Sequence, residues 1–296
     1  MTEKTSVFSK ATFFLSLVLT AERKNMNSFM SWVGGKKNLR DEVLARFPPY
    51  YERYIEVFGG AGWVLFHKPP GMDFEVYNDF NSNLANLYRC VRDKPAKLKY
   101  KLRYVLDSRE DFEYLALLHK RGILPRLYDV DRAAKFYQLI RYSYASGLDS
   151  FGSQPHSIWS DFPMIDLAAR RLQKVVIENK DFEKLVRQYD RPVSFFYCDP
   201  PYFATENYYK DVGFTKADHI RLRDTLLQIS GKFLVSYNDC PEIRDLWNRP
   251  GIAIEEISRL NNLAQRYEGG CMYNELLISN YDTSERAKMT RQLSLF

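Results

Sequence analysis

Cysteine and histidine are scarce in this 296-residue chain, with four of each. Cys90, Cys198, Cys240 and Cys271 show no C-x-x-C spacing, which excludes a disulfide framework and the common zinc sites. No H-E-x-x-H occurs, so no metal is expected. This cysteine usage fits a reducing, cytoplasmic compartment. Long hydrophobic runs are also missing. The apolar stretch 11–19 is too short to span a bilayer and lacks a small-x-small cleavage site behind it. Residues 1–28 therefore read as a poorly ordered extension, with Met26 or Met30 as alternative starts. Internal repeats, low-complexity segments and the full dinucleotide fingerprint G-x-G-x-x-G are absent as well.

What is present supports a large core: 45% of residues are hydrophobic. The net charge of +6 is unevenly placed. Segment 89–171 carries 16 Lys/Arg against 10 Asp/Glu, a surplus equal to that of the whole chain. A basic surplus confined to one segment suits a polyanionic partner.

The pattern alternates strands and helices. A helix is expected over about 37–46, ended by Pro48-Pro49, then a strand Arg53–Phe58 and the turn Gly59-Gly60-Ala61-Gly62. A strand Phe74–Asn78 and a helix Asn81–Val91 complete a βαβ unit with a parallel sheet. Segment 92–168 then changes character. Leu98, Leu102, Val105, Leu106, Phe112, Leu115 and Leu118 recur at helical spacing, and a Ser/Gly/aromatic loop, Tyr142–Trp159, follows. The α/β pattern resumes with strands at Lys174–Glu178, Val193–Cys198 and Lys232–Tyr237. Helices are expected at Asp181–Gln188, from the Thr215 cap through Leu227, and at Pro241–Trp247. Ile252–Ile257 and Glu275–Ser279 would pair as terminal strands. The expected fold class is α/β, a Rossmann-like sheet with an inserted, mostly helical domain. The core domain would comprise 29–91 and 169–284, the insert 92–168, and a tail 285–296.

Chemistry-bearing residues cluster at the strand ends. Asp199-Pro200-Pro201-Tyr202 follows an apolar strand. Neither proline offers an N–H, and each fixes its own φ. The result is a stiff edge with one carboxylate and an aromatic face, suited to a planar ring bearing an amino group. As a bare tetrapeptide it also fits a proline turn. Phe58 with Gly59, Gly60 and Gly62 forms a turn that lets a nucleoside approach the backbone. Asp79, ending the next strand, stands where an acid accepts from ribose hydroxyls. Asp181 and Phe182 offer an acid and a ring for a base, or a helix cap and a core residue. Trp32 and Lys36 flank Gly34-Gly35 and suit the carboxylate end of an amino-acid-like ligand.

Taken in order, these blocks resemble the Dam family of S-adenosylmethionine-dependent DNA adenine-N6 methyltransferases. The resemblance runs through Trp32–Lys36, Phe58–Gly62, Asn78–Asn81, Asp181-Phe182, Asp199–Tyr202, Ser236–Asp239 and Glu275–Tyr281. It implies a class I methyltransferase fold, S-adenosylmethionine as cofactor and adenine in double-stranded DNA as substrate. Trp32, Lys36, Phe58, the Gly59–Gly62 turn, Asp79, Asp181, Phe182 and Asp199 would contact the cofactor. Asp199, Pro200, Pro201 and Tyr202 would form the catalytic edge. The insert would read DNA through Lys97 and Lys101 at phosphates and through Arg141 and Gln154 at bases. Tyr208 and Tyr209 would close over a flipped base. A GATC-like site, a monomer or weak dimer, and a separately acting cognate restriction endonuclease are further implications of the family. Cytosine-N4 methylation uses the same tetrapeptide and stays an alternative, as does a catalytically silent DNA-binding module. Cytosine-C5 chemistry is disfavoured, because no Pro-Cys dipeptide occurs.

Overall fold

The computed structural model describes residues 26–206, 213–260 and 272–286. Seven strands form one sheet: β1 (Arg53–Glu56), β2 (Phe74–Asn78), β3 (Val175–Glu178), β4 (Ser194–Cys198), β5 (Lys232–Asn238), β6 (Ala253–Leu260) and β7 (Met272–Ser279). Their spatial order is β3-β2-β1-β4-β5-β7-β6. Neighbours from β3 to β5 run parallel, while β7 is antiparallel to both β5 and β6. The order reverses between β1 and β4, so a crevice is expected outside their carboxyl ends.

Both faces of the sheet are covered, and the strands read accordingly as nearly continuous apolar runs. Tyr54, Tyr77, Phe195, Tyr197 and Leu234 point into one core cluster. Ile55, Val76, Phe196, Cys198, Phe233 and Val235 point into the other, as a side-chain period of two dictates. The helices are α1 (Arg40–Ala45), α2 (Trp63–His67), α3 (Ser82–Asp93), α4 (Pro95–Leu102), α5 (Arg109–Lys120), α6 (Asp129–Tyr142), α7 (Phe162–Leu172), α8 (Phe182–Tyr189), α9 (Lys216–Leu226) and α10 (Pro241–Trp247). Helices α3 to α7 share the first cluster, and α8 to α10 the second. Helix α3 starts where the Asn81 side chain accepts from Asn83 N at 2.9 Å and Leu84 N at 3.3 Å, a cap that contributes about 1 kcal/mol. The Thr215/Asp218 capping box opens α9 as expected.

Two differences from the sequence reading have local causes. The β1 ladder stops at Glu56, before Phe58, because the chain then turns into the glycine loop. Helix α4 ends at Leu102, which leaves Val105 and Leu106 outside any helix and Leu106 69% exposed. The carbonyl of Arg103 is instead taken by the Trp159 indole N–H at 2.8 Å. The 92–168 helices do not form a core of their own. Leu98, Leu102, Phe112, Phe136 and Leu139 pack in one cluster with Tyr77, Leu84 and Tyr88 beside the sheet.

Candidate active site

A cleft of about 1110 Å³ lies at the carboxyl ends of β1, β2 and β4. Trp32, Lys36, Phe58, Gly59, Gly60, Asp79, Asp181, Phe182, Asp199 and Pro201 all line it. The site expected from scattered blocks is thus one continuous space. Gly62, Pro200 and Tyr202 are not among its lining residues. Gly62 has φ +64° and turns the chain into α2, where a Cβ would come within 2.9 Å of the Tyr88 hydroxyl. Tyr208 and Tyr209 lie outside the described residues.

Asn78 holds the strand ends in register. Its amide donates to Val57 O at 2.9 Å and Lys180 O at 3.1 Å, and its carbonyl accepts from Lys180 N at 2.8 Å. Beside it, Asp79 accepts from Gly60 N at 2.8 Å and Asn81 N at 2.7 Å. Burial disfavours the charged form and lifts the Asp79 carboxyl to about 6, against the pull of those two N–H groups. Each oxygen keeps a second acceptor direction for a ligand hydroxyl.

Asp181 serves first as a cap, accepting from Glu183 N at 3.1 Å. Arg221 then grips both its oxygens at 2.9 and 2.8 Å and lies 4.0 Å from the Phe182 ring centroid. Burial opposes the Asp181 charge, but Arg221 outweighs it and holds the carboxyl below the ordinary aspartate range. Phe58, Phe182 and Phe214 contact one another at 5.7 to 6.0 Å and give this end of the cleft an apolar wall. Phe80, 53% exposed, also lines the space.

At the other end, Lys36 Nζ lies 2.6 Å from Asp199 Oδ1 and 4.5 Å from the Tyr202 ring centroid, and donates to Gly34 O at 3.1 Å. Ser236 donates to the same Asp199 oxygen at 2.8 Å. Burial raises the Asp199 carboxyl above its ordinary range, while Lys36 and Ser236 pull it back. Lys36, expected at the cofactor, thus faces the Asp199 carboxylate here. The chain beyond Tyr202 is pinned by Asn238, which accepts from Phe203 N at 3.0 Å and donates to Phe203 O at 3.3 Å. Glu56, also in the cleft wall, is 2% exposed; burial pushes its carboxyl up to about 8, against donors at Tyr54 and Leu65.

The 92–168 segment reaches the cleft through Leu117, Lys120 and the turn Ser146–Asp149. Ala145, Ser146 and Leu148 have φ of 50°, 59° and 65°, a strained conformation for residues with a Cβ. The turn is tied to the N-terminal block by Ser31 Oγ and Ser146 Oγ at 2.6 Å. Arg141, expected at DNA bases, has intramolecular partners in this structure. Its guanidinium binds Asp161 at 2.9 and 3.0 Å and His156 at 2.8 Å, holding its own loop. Gln154 and Lys97 are exposed, and Lys101 pairs with Asp131 at 2.8 Å. Sequence reasoning gave no role to Glu56 or Arg221, and it placed Phe80, Ser236 and Glu275 in family-like blocks without a role; Glu275 accepts from the Tyr202 hydroxyl. The capping-box Asp218, three positions before Arg221, was the available signal for that arginine; the strand-end positions of Ser236 and Glu275 were the signal for the others.

Comparison with known proteins identifies a family. Residues 32–263 match the D12 class N6 adenine-specific DNA methyltransferase family. The chain is 28% identical to the type II methyltransferase M1.LlaDCHI of Lactococcus lactis subsp. cremoris over 89% of its own length and 99% of the relative. It is 26% identical to the DNA adenine methylase of Haemophilus influenzae, over 84% of this chain and 92% of that one. The DNA adenine methylase of Escherichia coli strain K12 is also 26% identical, over 80% of this chain and 89% of the relative. With most of its length matched and the strand-end site assembled, the chain belongs to the D12 class of N6 adenine-specific DNA methyltransferases.

Proposed function

We propose that this enzyme takes the methyl group from S-adenosylmethionine and delivers it to a flipped-out adenine in double-stranded DNA. The observation that carries the reading is the single cleft joining Asp79 and Phe182 at one end to Asp199 at the other. The residues fit the cofactor: an acid for ribose hydroxyls at Asp79, apolar rings for a base at Phe58 and Phe182, and Trp32 near the glycine turn. When bound, S-adenosylmethionine supplies an electrophilic methyl carried by a sulfonium.

The rest is positioning by the chain's own groups. A paired adenine must leave the stack to reach Asp199. Tyr202 stacks on the extruded ring and offsets part of the lost stacking. Asp199 and the Pro200 carbonyl accept the amino hydrogens and turn the nitrogen lone pair toward the methyl group, so orientation is the main contribution to rate. In-place Lys36 has to leave that corner, and the amino-acid end of the cofactor is its natural new partner.

Binding to Asp79 carries a pH signature. Ribose hydroxyls need the ionised carboxylate, whereas burial favours the neutral form up to about pH 6. Cofactor binding below that pH therefore requires proton release. Affinity is expected to fall about tenfold per pH unit below 6 and to be flat above it. Calorimetric titration from pH 5 to 8 checks this, with Asp79→Asn weakening binding and flattening the profile.

The division into a catalytic domain (29–91 and 169–284) and a target-recognition insert (92–168) belongs to the same proposal. Gln154 is the exposed candidate for base reading, and Arg141 acts by holding the loop. Lys97 contacts phosphate. Lys97→Ala should weaken binding to every sequence alike and lower the slope of log affinity against log salt by about one, measured by fluorescence anisotropy. A slope that stays at the wild-type value removes Lys97 from the interface. The enzyme would work in the cytoplasm as a monomer or weak dimer, any cognate endonuclease acting separately. No helix among the described residues is long and apolar enough to cross a membrane.

A further inference from the structure

Glu275 on β7 is a fully buried acid that the mechanism above does not use. It pairs in register with Asn238 on β5, next to the edge that carries Asp199. The Tyr202 hydroxyl donates to Glu275 Oε2. On the ring side of the same tyrosine lies the Lys36 ammonium, 4.5 Å from the centroid and 2.6 Å from Asp199 Oδ1. A nitrogen cation therefore already sits in the corner that a target amino group has to enter. Three features favour a cation there: the Asp199 carboxylate, the Tyr202 π face, and Glu275 behind the ring. Tyr237, 6.3 Å from Tyr202 between ring centroids, limits how far the ring can shift.

We propose that Glu275 is a positioning residue for methyl transfer, acting through the Tyr202 hydroxyl to fix and enrich the ring that faces the reacting nitrogen. The inference rests on the adenine-N6 reading. In the reaction, the N6 lone pair forms the new N–C bond while the C–S bond breaks and its electron pair stays on sulfur. Positive charge thus passes to N6, which holds it until its proton leaves to Asp199. An O–H donating to a carboxylate pushes electron density into the phenol ring, and the π face then attracts the developing cation more strongly. The contact matters most when the charge is on nitrogen, so it acts on the transition state rather than on ground-state binding.

The test compares Glu275→Gln, Tyr202→Phe and the double variant of the full chain on duplex DNA under single-turnover conditions. Each single change is expected to lower the methylation rate about tenfold. The double change is expected to be no slower than the slower single one, because both remove one linkage. Affinity for S-adenosylmethionine and DNA should stay at wild-type values, while the thermal midpoint falls because each single change removes a hydrogen bond to a buried carboxylate. Tyr202→Phe leaves Glu275 in place and tests the linkage alone if Glu275→Gln does not fold. Wild-type rates in Tyr202→Phe, or losses that multiply in the double variant, overturn the proposal. So does a loss explained by weaker cofactor binding. Failure of the adenine reading is separate: the wild-type enzyme itself would then yield no N6-methyladenine.

Discussion

Asp199→Ala is expected to lower kcat roughly a thousandfold or more while cofactor binding largely persists. The reason is in the corner itself. Asp199 is the carboxylate at the end of β4 that faces the cleft, and Ser236 and Lys36 hold its Oδ1. Once Lys36 has left, Ser236 still holds Oδ1 and leaves Oδ2 for an incoming amine. Without the carboxylate, the amino lone pair stays conjugated with the purine ring and is a poor nucleophile. The cofactor's ribose and base would still meet Asp79, Phe58 and Phe182 at the other end. The substitution also strands the nearly buried Lys36, 7% exposed, and an unpaired buried charge costs about 3 kcal/mol. Rates must therefore be measured at a temperature where calorimetric binding shows the variant folded. Asp199→Asn keeps the shape, removes the charge, and is expected to be nearly as inactive. A variant with near-native methylation would remove Asp199 from the chemistry.

Gly59→Ala is expected to destabilise the chain by about 3 kcal/mol and to abolish cofactor binding. An added Cβ would lie closer than 3.0 Å to three atoms of the Tyr77 ring. That ring has no room to retreat. It stacks on Tyr88 at 3.8 Å between centroids, and its hydroxyl donates to Gly60 O at 2.7 Å. Relief must come from the loop, and the loop is what carries Gly60 N to Asp79. Stability and binding are thus lost together. Thermal melting with and without S-adenosylmethionine measures both, and a native melting point with an intact ligand-induced shift would contradict the assignment.

The contrast between these two residues explains how much of the site was readable in the chain. The Gly59–Gly62 turn, Asp79 and the Asp199 tetrapeptide each sit next to the strand that positions them, so local pattern suffices. Lys36 beside Asp199, Ser236 on Asp199 and Glu275 on Tyr202 depend on tertiary adjacency. Ser236 and Glu275 arrive because β5 lies beside β4 and β7 beside β5, and Lys36 comes from the segment before α1. No local periodicity encodes that adjacency. The fold was legible for the same reason: its strands are short apolar runs bounded by turns, and their exits carry the polar residues. The stop of α4 at Leu102 was not legible, because Leu106 keeps helical spacing although it is left exposed. Arg141 shows the converse case. A basic residue in a basic segment suggested DNA, and no local pattern announced its ion pair with buried Asp161, which stands at the N-cap of the helix that starts at Phe162.

Base identity tests the central claim most directly. Duplex plasmid incubated with the enzyme and methyl-labelled S-adenosylmethionine is digested to nucleosides and separated by mass. The account predicts label in N6-methyladenine alone, and none with Asp199→Ala. Label in N4-methylcytosine, or transfer that survives in Asp199→Ala, would contradict it.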